Sequence, residues 1–473
     1  MKKRLFMFAT AALMLAACSN DGEVAVNNGA QLQSGSGIVA FDTYTSSATK
    51  AGYEGIMTTN ELKPRGFGVF AQHSSNADYS ESANPVANFM WNQKVYFNSG
   101  AWTYEPLKYW PNETVYDPQN PASDPINPSD PTISAHADKL SFFAYAPYVK
   151  ELASASGNGK LDIDNDGTTD EYDAVPAITA SGIKDAKVGG IEAVIANSAT
   201  GNDPWVRYTV ATDPAKSVDL LWGVAPAGGL SYTNVTGGTT TVGEGMPLKN
   251  LIKPAKDQKI KFLFQHALAR IGMTVVYAAD QISAGGTLDD QTKIAVKSVA
   301  IEEVTATKKL ALSGALNLNN TTKFRALWSN KAADTFSASV SGEGLNPNIK
   351  YYTNKETTWN YATTLTTWTG VTNVETDVIK DKKYFMVIPG NDDTDLKVTI
   401  TYAVITKDTK LADGYSEVEN VIYKTITIPS LINNKAYNLK LILGMTSVKL
   451  EAEVADWQVD GSNEVYLPQN AAE

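Results

Sequence analysis

Six carboxylates crowd the twelve residues Asp162-Ile163-Asp164-Asn165-Asp166-Gly167-Thr168-Thr169-Asp170-Glu171-Tyr172-Asp173. Aspartates stand at positions 1, 3, 5, 9 and 12, glycine stands at 6, and Thr168 at 7 can offer a backbone carbonyl. That is the spacing of a loop that wraps Ca2+ in hard oxygen ligands, with glycine permitting the sharp turn. The expected ligands are Asp162, Asp164, Asp166, Thr168, Asp170 and Asp173. Aspartate at position 12 reaches less far than the usual glutamate, which weakens the expected affinity. The flanks, Gly157 to Lys160 and Pro176, do not form amphipathic helices, so calcium here would stiffen a loop and not open a helix pair. The competing reading is a solvated acidic loop in which Asp and Asn are turn formers.

The second residue placed for chemistry is Cys18, the one cysteine in 473 residues. It follows Met1-Lys2-Lys3-Arg4, an apolar run from Leu5 to Ala17, and the small pair Ala16-Ala17. This order predicts a lipoprotein signal over 1–17, with acyl chains on Cys18 as the membrane tether. The run is too short to span a bilayer, which needs ~20 apolar residues. An ordinary secretory signal is the alternative, and both readings export the protein. Beyond Cys18 neither disulfides nor cysteine metal sites are available.

A net charge of −11 argues against a nucleic-acid partner, because such binding rests on Lys and Arg neutralising phosphates. His73, His136 and His266 lack metal-ligand spacing, and neither a nucleophile elbow nor a phosphate loop is present. No enzymatic activity is expected. His266, beside Phe262 and Phe264, reads as a core residue with a satisfied hydrogen bond. Trp102 with Tyr104, and Tyr109 with Trp110, read either as a sugar-stacking platform or as sandwich core, the commoner fate of aromatics on half-buried strands.

The positioning elements are strands. After a polar tether over 18–37, apolar and polar residues alternate with period two, as in Leu396-Lys397-Val398-Thr399-Ile400-Thr401-Tyr402, and long helical periodicity is absent. The pattern predicts an all-β chain of antiparallel sandwiches. The length suits two, over 38–250 and 257–473, with a junction at Pro247 to Lys256 before a strand that starts at Lys259. Pro111 to Pro131 and Thr233 to Gly245 read as exposed loops.

Several segments, in order, resemble the fimbrillin family, the lipoprotein-derived subunits of type V pili. They include Ile38-Val39-Ala40-Phe41, Phe67-Gly68-Val69-Phe70-Ala71, Phe89-Met90-Trp91-Asn92, Tyr109-Trp110-Pro111 and Phe142-Phe143-Ala144-Tyr145-Ala146-Pro147. They continue with Leu220-Leu221-Trp222-Gly223, Phe264-Gln265-His266-Ala267-Leu268, Val387-Ile388-Pro389-Gly390 and Ala436-Tyr437-Asn438-Leu439. The resemblance implies two tandem transthyretin-like antiparallel β-sandwich domains, export to the cell outer membrane, and a trypsin-like protease that cuts after the first strand. A strand from a neighbouring subunit then fills the vacated groove, and head-to-tail repetition gives a filament.

Carried onto this chain, the resemblance implies a removable strand Ile38 to Tyr44 and cleavage after Lys50, where the family pattern prefers arginine. It implies a donor strand near the C-terminus, with Val448, Leu450 and Val454, or Val465, Tyr466 and Leu467, as the candidates. The implied role is an adhesive or structural fimbria subunit whose partners are other fimbrillin subunits and a host glycan or protein. The alternative is a monomeric surface lipoprotein that binds glycans through its aromatics with calcium assistance.

Overall fold

The computed structural model describes residues 38–45, 59–74, 77–79, 87–111, 138–151, 161–162, 178–179, 182–183, 190–194 and 465–466. It also describes 203–456 apart from 212, 215–217, 235–236, 255–257, 278–290, 305–309, 312, 333–336, 352–369, 391–393, 413, 429 and 445–447. The chain opens with β1 (Phe41–Thr45) and α1 (Thr59–Arg65). Gly66 ends the helix: its φ of +71° suits glycine, and its N–H donates to Leu62 O.

Next come β2 (Phe67–His73), β3 (Met90–Asn98), β4 (Ala101–Thr103) and β5 (Lys139–Ala146), then the two-residue pieces β6 (Lys150–Glu151), β7 (Leu161–Asp162), β8 (Ile178–Thr179) and β9 (Gly182–Ile183). They are followed by β10 (Gly190–Val194), β11 (Trp205–Thr209), β12 (Leu221–Val224), β13 (Leu230–Thr233), β14 (Thr239–Val242) and β15 (Leu248–Ile252). The later strands are β16 (Ile260–His266), β17 (Ala269–Tyr277), β18 (Thr292–Glu303), β19 (Ser313–Asn317), β20 (Leu327–Ala332), β21 (Ser337–Ser341) and β22 (Thr376–Asp377). The last are β23 (Phe385–Val387), β24 (Thr394–Lys407), β25 (Tyr415–Ile428), β26 (Lys435–Leu443), β27 (Val448–Asp456) and β28 (Val465–Tyr466).

Four sheets carry the fold. The first runs β1-β16-β12-β5-β2-β3-β4, with β15 also paired to β5. The second runs β10-β11-β19-β20, the third β22-β17-β26-β27-β28 with β23 on β17, and the fourth β21-β18-β24-β25. Pairing is antiparallel except between β1 and β16 and between β17 and β26. On β24 the alternation predicted from sequence holds: Leu396, Val398, Ile400, Tyr402 and Val404 are buried, while Lys397, Thr399 and Thr401 are half-buried.

The first sheet is covered on both faces. Phe142 and Ala144 of β5 enter one core with Phe67, Phe262 and Phe264. Phe143 and Tyr145 enter the other, which continues through Trp222 and Tyr208 to Ile271, Ile400 and Leu439 in the later sheets. The near-continuous apolar run Leu140–Ala146 is the sequence mark of such double burial. No helix among the described residues is long and apolar enough to cross a membrane.

Two expectations need correction. The strand expected to open a second unit, Ile260–His266, pairs with β12 and β1 in the first sheet, so the chain passes to the third sheet at Ala267-Leu268 and not over 247–256. Later still, β19 returns to pair with β11. The expected loop Thr233–Gly245 includes the turn and second strand of a hairpin, β14 pairing with β13 so that Tyr232 is opposite Thr240 and Leu230 opposite Val242. Gly and Thr there serve a tight turn at Gly237, whose φ is +80°. Most of the proline-rich loop, 112–131, lies outside the described residues.

Candidate functional site

The site begins with the alternation Val39-x-Phe41-x-Thr43, whose side chains are all buried. Phe41 is the centre. Its ring lies 5.5 Å from Tyr104, 5.9 Å from Phe142, 6.2 Å from Phe67 and 6.1 Å from Phe262, stacked on the last and edge-on to the other three. Offset and edge contacts of this kind suit the ring quadrupoles, and the enclosed apolar area stabilises the strand strongly.

The backbone hold on β1 is weaker by comparison. β1 pairs in parallel with β16 alone, Phe41 opposite Ile260 and Thr43 opposite Phe262, and parallel pairing is slightly less stable per residue than antiparallel. Thr43 Oγ1 donates to Phe262 O at 3.0 Å. Just before β1 a strap crosses the strand: Val39 N–H donates to Lys108 O, Ile38 bridges Tyr109, and the Tyr104 hydroxyl donates to Val39 O at 2.7 Å. A short edge strand thus plugs an aromatic groove formed by β16, β5, β2 and the Tyr104–Tyr109 strap.

The groove floor depends on one glycine. A Cβ on Gly223 would stand 2.7 Å from Phe262 Cδ1 and 3.0 Å from Ala144 Cβ. Gly223→Ala is therefore expected to displace Phe262 and cost about 1–3 kcal/mol, read as a lower urea midpoint at unchanged slope.

Burial pushes the Tyr104 phenol well above its usual value and Tyr232 up to about 12, against the opposing effect of their hydrogen bonds with Lys108 and Lys261 backbone. Both are protonated in the folded chain at neutral pH, so Tyr104 stays a donor to Val39. A buried phenol that resists ionisation costs nothing below the unfolded value of 10.0 and destabilises the fold as pH rises above it. Unfolding free energy should stay flat with respect to these groups up to pH 10 and fall from 10 to 12. In a Tyr104→Phe variant that fall should be smaller, and the lost hydrogen bond should cost about 1 kcal/mol, with faster amide exchange on β1.

The residues singled out from sequence fall as follows. Cys18, Lys50, Asp164, Asp166, Thr168, Asp170, Asp173 and Leu467 lie outside the described residues, and Asp162 ends β7, opposite Lys150. Val448, Leu450 and Val454 sit on β27, which pairs with β26 along its whole length, so in this state they are sheet members and not a free donor. Val465 and Tyr466 form β28, held to the sheet edge opposite Val454 and Glu453 only. The sugar-platform reading of Trp102 and Trp110 is overturned: both are buried, edge-on to Phe67 and to Phe142 respectively. His266 is buried with Nδ1 2.8 Å from Asp219 Oδ2, as a satisfied core histidine. Tyr104, Gly223 and Phe262 were not singled out as groove residues, since only tertiary structure brings them against β1.

No family model matches the chain. The fimbrium subunit Fim1C of Phocaeicola vulgatus is 23% identical over 481 residues, covering 99% of this chain and 100% of that protein. The crystal structure of a fimbrial protein from Bacteroides vulgatus superposes with a TM-score of 0.52 at 19% identity, over 89% of this chain and 99% of that one. A fimbrial assembly protein of Parabacteroides distasonis aligns over 90% of this chain and 98% of its own at 10% identity, with a TM-score of 0.33. The chain is thus similar from end to end to a fimbrium subunit, and it shares the β-sandwich fold of the Bacteroides fimbrial protein.

Proposed function

We propose that the chain is a structural, adhesive fimbria subunit that polymerises by strand exchange at the β1 groove, without enzymatic activity. The observation that carries this reading is the mismatch in β1: a core-filling aromatic, Phe41, on an edge strand paired on one side and in parallel. Loss of the strand would leave Phe67, Phe142, Phe262 and Tyr104 facing water, and a foreign strand with an apolar residue in Phe41's place would bury them again. In the same proposal Cys18 carries the lipid that brings the precursor to the outer membrane, and a trypsin-like protease cuts after Lys50 in the segment between β1 and α1.

The best donor is the segment around Val465, Tyr466 and Leu467, because two residue pairs tie β28 to its own sheet whereas β27 is paired throughout. Deleting 464–473 should leave the fold and the cleavage intact and abolish polymers. Polymers of normal length from the deleted chain would contradict the donor assignment.

Calcium in the Asp162–Asp173 loop belongs to the proposal as a stiffener. Added Ca2+ should raise Tm, and Asp166→Asn should remove most of that rise; the same Tm with calcium and with chelator would contradict it.

A further inference from the structure

The far edge of the fourth sheet is built as a docking strand. β25 pairs with β24 without a register shift from Tyr415 to Ile428, and no described strand pairs with its other side. Edge strands are ordinarily protected by proline, bulges, short length or projecting charge. β25 is long and regular and contains neither Pro nor Gly. Its two glutamates do not guard the edge, because both are drawn back over their own sheet. Lys297, the extra residue of a bulge between Val296 and Ser298 on β18, reaches across β24 to Glu417 Oε1 at 2.9 Å and Glu419 Oε2 at 2.6 Å. Three large apolar side chains stand out on the strand, Val418, Val421 and Tyr423 at 60%, 61% and 64% exposed, beside the exposed Ser416, Glu419, Lys424, Thr425 and Thr427.

The order of residues along β25 indicates its partner. Antiparallel pairing of β25 with the β25 of a second copy, centred on Ile422, sets Val421 opposite Tyr423 and Val418 opposite Ile426. The same register sets Glu419 opposite Thr425, Glu417 opposite Thr427 and Asn420 opposite Lys424. The exposed apolar residues Val418, Val421 and Tyr423 all meet apolar partners, Ile428 near the end meets Ser416, and no like charges face each other. A register centred on Val421 would instead put Val418 against Lys424 and Glu419 against Tyr423. We infer that two copies join through their β25 edges about a two-fold axis at Ile422, merging their fourth sheets. This lateral contact is separate from the β1 groove, being on a different sheet, and is available to the uncleaved chain.

The test uses the full uncleaved chain, in which β1 is in place and groove exchange cannot contribute. Sedimentation should give twice the chain mass. Val421→Lys and Tyr423→Lys, both at exposed positions, should each leave Tm unchanged at concentrations where the chain is monomeric and raise the dimer dissociation constant about tenfold or more. In a Cys18→Ser background, mixing the Val421→Cys chain with the Tyr423→Cys chain should give a mixed disulfide in preference to either self-disulfide. A monomeric wild-type chain, a dimer untouched by both lysines, or disulfides without that preference would overturn the inference.

Discussion

Phe41→Ala is expected to lower the folding stability by about 3–5 kcal/mol. The ring is 2% exposed and is the common neighbour of Phe67, Tyr104, Phe142 and Phe262. None of the four can follow it, since each is fixed on a different strand or strap. Transfer and cavity losses therefore add. The check is urea unfolding by tryptophan fluorescence, with hydrogen exchange on β1 alongside. Exchange should rise first in β1, showing the strand released locally before the sheet opens. A loss under about 1 kcal/mol would mean that the groove collapses around the vacancy and is not a preformed receptor.

Asp203→Ala should cost a comparable amount, about 3–5 kcal/mol. Asp203 is 1% exposed and precedes β11. Its carboxyl oxygens accept from the Tyr79 hydroxyl, from Asn317 Nδ2 at 3.0 Å and from Asn319 Nδ2 at 3.0 Å. Alanine takes the acceptor from two buried amides, Asn317 and Asn319, each worth about 1–3 kcal/mol when left unpaired, and from the half-buried Tyr79 hydroxyl. The same residue ties the 77–79 segment and the end of β19 to the start of β11, so the loss should be cooperative, visible as one shifted transition. Asp203→Asn keeps one acceptor oxygen and should recover part of the stability. An alanine variant as stable as the parent would mean that water replaces the carboxyl group and that this junction is not a structural hub.

Strand existence was legible because burial on one face forces period-two alternation, as on β24 and β26. Connectivity was not. Nothing local in Ile260–His266 says that it pairs with β1 more than two hundred residues earlier, nor that β19 rejoins β11. Such pairings are decided by which cores close together. The Trp102 and Trp110 ambiguity had the same origin, since an aromatic on an amphipathic strand reads alike whether its face meets solvent or a second layer. The glutamates of β25 look protective in sequence. Only the Lys297 bulge, a tertiary feature, turns them away from the edge.

The central claim is that β1 is a removable plug whose loss opens an adhesive groove. Its most direct test is native trypsin treatment of the chain from Ser19, following mass and oligomeric state together. The account predicts one early cut after Lys50, release of β1, and detergent-resistant ladders that grow with time. A chain that is cut, loses β1 and stays a soluble species that no longer associates would contradict it.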